Sequence, residues 1–236
     1  MNSVMITGAD RNIGLALCRE FLQKGWLVFA GRYAEQLRFL DELQAEYPDT
    51  LCIVPADCSS RSSLQEAARQ VGQRTRRLDM LVHNAAHFGS DAGSVLEQLH
   101  TEGCKAPFNV NALGAIRLVQ AFLPLVEEGG RRLCFVSSEA GSVSVAARNF
   151  LSGYCMSKTA LNMAVRLMFN ELRPRGYTFR LFHPGWVRSP EDGVSAAPGK
   201  LDPRQAAQAA AEQFSQDRDW ENQLAIIDYQ GVLWPF

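Results

Sequence analysis

Short, continuous apolar runs recur along the chain, and between them the apolar positions take up helical spacing. The runs are VMIT (4–7), WLVFA (26–30), LCIVPA (51–56), MLVH (80–83), RLCFVSS (132–138), FRLFHP (179–184) and LAIID (224–228). Runs this short and this uniformly apolar suit strands buried on both faces of a parallel sheet. Helical spacing fills 13–24, 37–46, 64–76, 112–126 and 157–173. In the third of these, Leu64, Ala67, Ala68 and Val71 share one face. Strand–helix alternation throughout predicts an α/β fold, a doubly wound parallel sheet with helices on both faces and right-handed crossovers. No repeat and no break in composition divides the chain, so 1–236 is expected to be a single domain. The stretch 189–203, rich in Pro, Gly, Ser and Asp, follows the sixth run. Ligands bind at the carboxyl ends of strands in such sheets, which makes this stretch a substrate loop or, on the plainer reading, a solvated surface loop.

Composition narrows the class. With 24 basic and 25 acidic side chains in 236 residues, no charge excess calls for nucleic acid or an anionic membrane. The apolar runs are too short to span a bilayer, and the N-terminus lacks a signal pattern. Six scattered cysteines without a CxxC pair read as reduced, mostly buried thiols of a cytoplasmic protein. The four histidines show no metal-ligand spacing, so no metal is expected.

Four stretches carry chemistry. TGADRNIG (7–14) joins the first strand to the first helix. Gly8 allows a tight turn, Gly14 allows close helix packing, and the helix N-terminus faces a pyrophosphate. Asn12 stands where a third glycine is usual, and it enters left-handed backbone more readily than most residues. By itself the stretch reads equally as an ordinary βα turn. FAGRY (29–33) places Arg32 where an acidic residue would bind the ribose of NAD; with Arg11 it suits the 2′-phosphate of NADPH, unless both are solvated surface charges. Tyr154 and Lys158, four apart on a helix, are either an exposed pair or a phenol tuned by a neighbouring ammonium. Ser137 and Ser138 end the fifth run on the ligand side, with Ser138 able to orient a carbonyl, and Asn111 interrupts an apolar helix face, as a functional group or as a satisfied buried amide.

In order, TGADRNIG, HNAA (83–86), Asn111, Ser138, Tyr154, Lys158 and HPGWVRS (183–189) resemble the short-chain dehydrogenase/reductase family across essentially the whole chain. The resemblance implies a single-domain, seven-stranded Rossmann sheet and a catalytic tetrad of Asn111, Ser138, Tyr154 and Lys158. Tyr154 would donate the proton, Lys158 would hold the nicotinamide ribose and lower the tyrosine pKa, Ser138 would polarise the carbonyl, and Asn111 would hold a relay water. The implied cofactor contacts are Thr7, Gly8, Arg11, Asn12, Ile13 and Gly14, then Arg32, Asp57 and Cys58 beside adenine, Asn84 and Ala85 on the adenosine side. Tyr154, Lys158, Pro184, Gly185, Val187 and Ser189 complete them at the nicotinamide end.

LNMAVRLMFNEL (161–172), HPGWVRS and AIIDYQGVLWPF (225–236) are similar to the C-factor and sniffer-type carbonyl reductases, as is the sixteen-residue step from Ser138 to Tyr154. The implied activity is NADPH-dependent reduction of an aldehyde, ketone or quinone, with NADP(H) preferred and NAD(H) also usable. A signalling protein with little turnover and a pterin-type reductase are the alternatives. Apolar Val143, Val145, Phe150, Leu151, Trp186 and Val194 predict an apolar or aromatic small-molecule substrate. Family members often pair through the long helices that would include 112–126 and 157–173, which implies a homodimer or homotetramer, while some relatives of the narrower group are monomers. Three positions depart from the family pattern: Asn12, Ala86 in place of glycine, and Ser189 in place of threonine.

Overall fold

The computed structural model describes residues 1–89, 96, 100–188 and 199–236. Ser189 and Val194 therefore lie outside the described residues. Its first half runs β1 (Ser3–Ile6), α1 (Asn12–Gln23), β2 (Leu27–Arg32), α2 (Phe39–Glu46), β3 (Leu51–Pro55), α3 (Arg61–Arg74) and β4 (Met80–His83). Then come α4 (Glu102–Pro107), a π-helical turn (Phe108–Leu113), α5 (Gly114–Glu127), β5 (Arg132–Val136), α6 (Ser152–Leu172), β6 (Thr178–His183), α7 (Pro203–Ser215), β7 (Ile226–Asp228) and β8 (Leu233–Trp234).

The strands form one sheet in the order β3-β2-β1-β4-β5-β6-β7-β8. All neighbours are parallel except the β7–β8 pair, which is antiparallel. The expectation of seven parallel strands is thus corrected to eight strands with one antiparallel edge among the described residues. The added strand is two residues long and returns through a turn in which Asp228 accepts the N–H groups of Gln230 and Val232. Strand order reverses between β1 and β4, which places the switch-point crevice at the carboxyl ends of those two strands.

Alternation along each strand divides the core. Met5, Phe29, Leu81, Leu133 and Phe179 face α3, α5 and α6 on one side. Val4, Ile6, Val28, Val82 and Phe182 face α1, α2 and α7 on the other. This two-sided burial explains why the strands read as unbroken apolar runs, and each fully buried Leu, Ile or Phe contributes about 1.5–3 kcal/mol.

Helix ends lie a few residues from their predicted places. Three differences have causes. Helix α6 starts at Ser152 rather than at 157, placing Tyr154 in its first turn. Helix α7 follows the loop instead of further coil: Pro203 supplies a preset first helical residue and Asp202 caps the Arg204 N–H at 2.8 Å. Finally, α4, the π turn and α5 run together as Glu102–Glu127, long and apolar enough by composition to cross a bilayer, contrary to the reading of short runs. Its Ala115, Leu118, Val119, Phe122 and Val126 are instead buried in the sheet-facing core.

Candidate active site

The first turn is built by close backbone packing. Gly8 has φ +62°, and a Cβ there would meet the Ala85 backbone at 2.7 Å. At Gly14 an added Cβ would lie 2.0 Å from the Gly8 carbonyl oxygen, so the helix can approach the loop only without a side chain. Asn84 donates its amide to the carbonyls of Thr7 and Gly8 at 3.0 and 2.9 Å, and Thr7 Oγ1 accepts the N–H groups of Asn84 and Ala85. Asn84 and Ala85, expected beside adenosine, thus also brace the loop.

Asn12 adopts φ +51°, the left-handed backbone that its side chain tolerates. Its Oδ1 is buried without a hydrogen-bond partner. The Arg11 side chain does not cap α1, which leaves the first-turn N–H groups, including that of Ile13, without a side-chain cap from that residue. An uncapped helix N-terminus behind a tight glycine turn fits a dinucleotide pyrophosphate.

At the end of β2, Arg32 donates to Asp41 at 2.7 Å, and its Nε is buried without a partner. The two line a cleft of about 440 Å³ with Arg38 and Ile53. Arg32 is therefore not a solvated surface charge, and it carries a carboxylate partner that the sequence did not suggest. Asp57 accepts from the Ser59 N–H, while the Cys58 thiol is buried, pushed up to about 12 chiefly by that burial.

The tetrad residues converge at the carboxyl ends of β4 and β5. Tyr154 and Lys158 are 8% and 1% exposed, which removes the exposed-pair reading. Gly141 lets the turn Glu139–Gly141 press against the α6 backbone, where a Cβ would lie 2.7 Å from Lys158 C, and this brings Ser138 to Tyr154. Asn111 sits in the π-helical turn, fully buried. It donates to Ser157 Oγ and the His87 carbonyl at 2.8 and 2.9 Å and accepts the His87 N–H at 2.7 Å. Its own carbonyl accepts from His83 Nε2 at 3.1 Å. The satisfied-amide reading therefore describes its side chain, which clamps the 84–89 loop. Wide turns of this type recur at functional sites.

Two implied properties need correction. The Tyr154 pKa is not lowered but pushed up to about 12; burial is the main cause, and hydrogen bonding with Ser138 and the Arg148 charge pull the other way. Lys158 does not offset this, because burial pulls its own pKa down to about 7 while Nζ donates to the Val136 carbonyl at 2.8 Å. The second correction concerns Ser138. Its hydroxyl donates to Glu139 Oε2 at 2.7 Å and accepts the Ala140 N–H at 3.1 Å, so its proton is not directed at a substrate carbonyl.

Three residues given no role by the sequence belong to the site. Phe88 stacks on the Tyr154 ring, 4.6 Å between centroids at 22°. Glu139 joins Ser138 to Trp186, whose indole N–H donates at 3.1 Å, and to Arg148. His183, held neutral by burial that lowers its pKa to about 4, packs edge-on against Trp234 from β8. Val143, Val145, Phe150 and Trp186 are exposed around the opening. Gly185 has φ +76°, with Tyr229 filling the space where a Cβ would go, and Val187 bridges to Leu201. With Pro184 they follow β6 into the same crevice.

Lys158 yields a pH signature. Folded, it is neutral above about pH 7, whereas the unfolded chain keeps it protonated up to its ordinary value of 10.5. The unfolded state then binds more protons, so stability rises with pH through that window. Denaturant titrations at pH 7 and 9 are expected to show this rise in the wild type and lose it in Lys158→Met; an equal rise in both would contradict the assignment.

Residues 2–197 match the family model described as short chain dehydrogenase. An uncharacterized oxidoreductase of Schizosaccharomyces pombe is 32% identical over 247 residues, covering 98% of this chain and 96% of the relative. The C-signal protein of Myxococcus xanthus is 38% identical over 123 residues, 52% of this chain and 73% of its own. Among solved structures, the NADPH-bound carbonyl reductase from chicken fatty liver superposes with a TM-score of 0.86 at 25% identity, covering 100% of this chain and 99% of that one.

Proposed function

Because this chain belongs to the short-chain dehydrogenase family, we propose that it is an NADPH-dependent reductase that converts an aldehyde, ketone or quinone to the alcohol. The observation that carries this reading is the buried convergence of Ser138, Tyr154 and Lys158 beside a glycine turn shaped for a pyrophosphate. Tyr154, held protonated far above neutral pH, is suited to donate a proton to the oxygen that becomes the hydroxyl. The bound dinucleotide would supply the hydride. Backbone groups of 7–14 would hold its phosphates, Lys158 its ribose, the 184–189 segment its nicotinamide, and Asp57 and Cys58 its adenine. Arg32 and Arg11 would take the 2′-phosphate, and the NADPH carried by the chicken reductase supports that preference.

Exposed Phe88, Val143, Val145, Phe150 and Trp186 favour an apolar or aromatic carbonyl compound, bordered by the loop 189–203. One domain in a cytoplasmic setting accords with six unpaired thiols. Met156, Met163 and Leu167 leave an apolar stripe exposed on α6, which supports self-association through that helix. The likeness to a C-signal protein favours a second reading, a dinucleotide-binding signalling protein with little turnover.

Following NADPH absorbance across a panel of aldehydes, ketones and quinones separates the two readings. Consumption with at least one compound is expected; binding of NADPH without turnover on any would favour signalling. In the same assay Arg32→Ala is expected to raise the KM for NADPH roughly 10–100-fold, the worth of one or two charge-assisted bonds, and the KM for NADH less than about twofold. Equal effects on both cofactors would remove Arg32 from the 2′-phosphate site.

A further inference from the structure

Helix α5 begins against the loop that follows β3. At Gly114 an added Cβ would lie 3.0 Å from both the Cβ and the carbonyl oxygen of Cys58, so this contact closes only without a side chain. Three residues on, Arg117 spans the same contact. Its Nη1 donates to the Asn109 carbonyl at 3.0 Å and to the Cys58 carbonyl at 3.3 Å. The two acceptors belong to different parts of the site. Asn109 lies in the π-helical turn two residues before Asn111, and Cys58 follows Asp57 in the loop expected at adenine. Among the described residues no carboxylate pairs with Arg117, so this half-buried guanidinium is held by backbone carbonyls. Each carbonyl has two lone pairs and can accept from Arg117 in addition to a backbone N–H.

Asn111 fixes the turn from its other side. It accepts the His87 N–H at 2.7 Å and donates to the His87 carbonyl and Ser157 Oγ at 2.9 and 2.8 Å. His87 precedes Phe88, which stacks on Tyr154. Hydrogen bonds thus connect the Cys58 carbonyl to the His87 backbone through Arg117 and the π turn. We propose that Arg117 is a positioning residue that couples the adenine end of the cofactor site to the turn carrying Asn111, so that a nucleotide seated on 57–58 holds Asn111 and the His87 backbone together. A ligand packed on that loop restricts it, and the restriction passes to Asn109 while Arg117 holds both carbonyls. The inference rests on the reading of Asp57 and Cys58 as the adenine contact, and its test needs no turnover.

Hydrogen exchange of the His87 N–H, bonded to Asn111 Oδ1, reports how often this junction opens. The probe is adenosine 2′,5′-bisphosphate, which has the adenine end of the dinucleotide but no nicotinamide; calorimetry follows its binding separately. Saturating probe is expected to slow exchange at His87 on the order of tenfold in the wild type, an ordinary size for coupling between two sites. Arg117→Met keeps the apolar stem and loses both donors; it is expected to bind the probe and yet slow His87 less than about twofold. The N–H of Leu133, buried in β5, reports global stabilisation by ligand and should slow in both proteins, which separates a lost coupling from a merely weakened fold. Equal slowing of His87 in the two proteins would mean that the coupling bypasses Arg117 and would overturn the proposal, as would probe binding without slowing of His87 in the wild type. If Arg117→Met does not fold, Arg117→Gln, too short to span both carbonyls, takes its place with the same expectations. Failure of both the bisphosphate and ADP to bind would refute the nucleotide reading and this coupling together; binding without the His87 response refutes the coupling alone.

Discussion

Replacing Tyr154 by phenylalanine is expected to lower kcat for carbonyl reduction roughly 10²–10⁴-fold, the usual worth of a positioned general acid. The ring, its stacking on Phe88 at 4.6 Å and the packing of α6 all survive this change; only the hydroxyl is lost. The variant is therefore expected to keep its fold and its thermal stabilisation by NADPH. Single-turnover measurement of NADPH oxidation at saturating substrate isolates the chemical step. Turnover within a few-fold of the wild type would show that the proton comes from elsewhere, with Lys158 next to be tested.

Glu221→Ala is expected to be the most damaging of the changes away from the site. Arg180 on β6 is 1% exposed, and Glu221 holds its Nη1 at 2.7 Å and its Nη2 at 2.5 Å. The other guanidinium bonds go to the carbonyls of Phe179, Gln213 and Gln216. Those carbonyls satisfy hydrogen bonding but supply no countercharge. Removing the carboxylate leaves a cation in the sheet, at a cost of about 3–5 kcal/mol. For a chain of this size the melting temperature should fall on the order of 10 °C. Thermal melts of Glu221→Ala and of Arg180→Met/Glu221→Leu check this, since the apolar pair should recover most of the loss. A melt within about 2 °C of wild type for Glu221→Ala would show that water reaches Arg180 after all.

Much of the architecture was legible because burial on both sides of a parallel sheet leaves an unbroken apolar signature, as at Met80–His83, predicted to the residue. The family resemblance drawn from the motifs is borne out by the match over 2–197 and by the carbonyl reductase neighbour. Helix α7 is not among the predicted helices, although Ala206, Ala207, Ala210, Ala211 and Phe214 carry its buried stripe. Small apolar residues give that stripe little contrast, and the proline that starts the helix resembles the end of a loop. The placement of Tyr154 and Lys158 on one helix face was legible from their four-residue spacing. Their protonation was not, because local spacing proposes an ammonium beside a phenol whereas burial, a tertiary quantity, acts on both groups. Phe88 and Arg148 carry no motif; the fold brings them to Tyr154 and Glu139 from loops of ordinary composition.

The π-helical turn at Phe108–Leu113 makes this part of the chain intolerant of insertion and deletion. Such a turn accommodates a residue more than the α-helix on either side. Excising one residue would let the turn close to regular α pitch with the flanking helices nearly in their present relation, because the wide turn is what absorbs the extra residue, but the side chains within Phe108–Leu113 would change direction. Asn111 could no longer reach Ser157 and both backbone groups of His87 at once, and Phe88 would lose its seat over Tyr154. A loop graft or chimera should therefore be joined outside 102–127, and the helix counted in residues rather than in length.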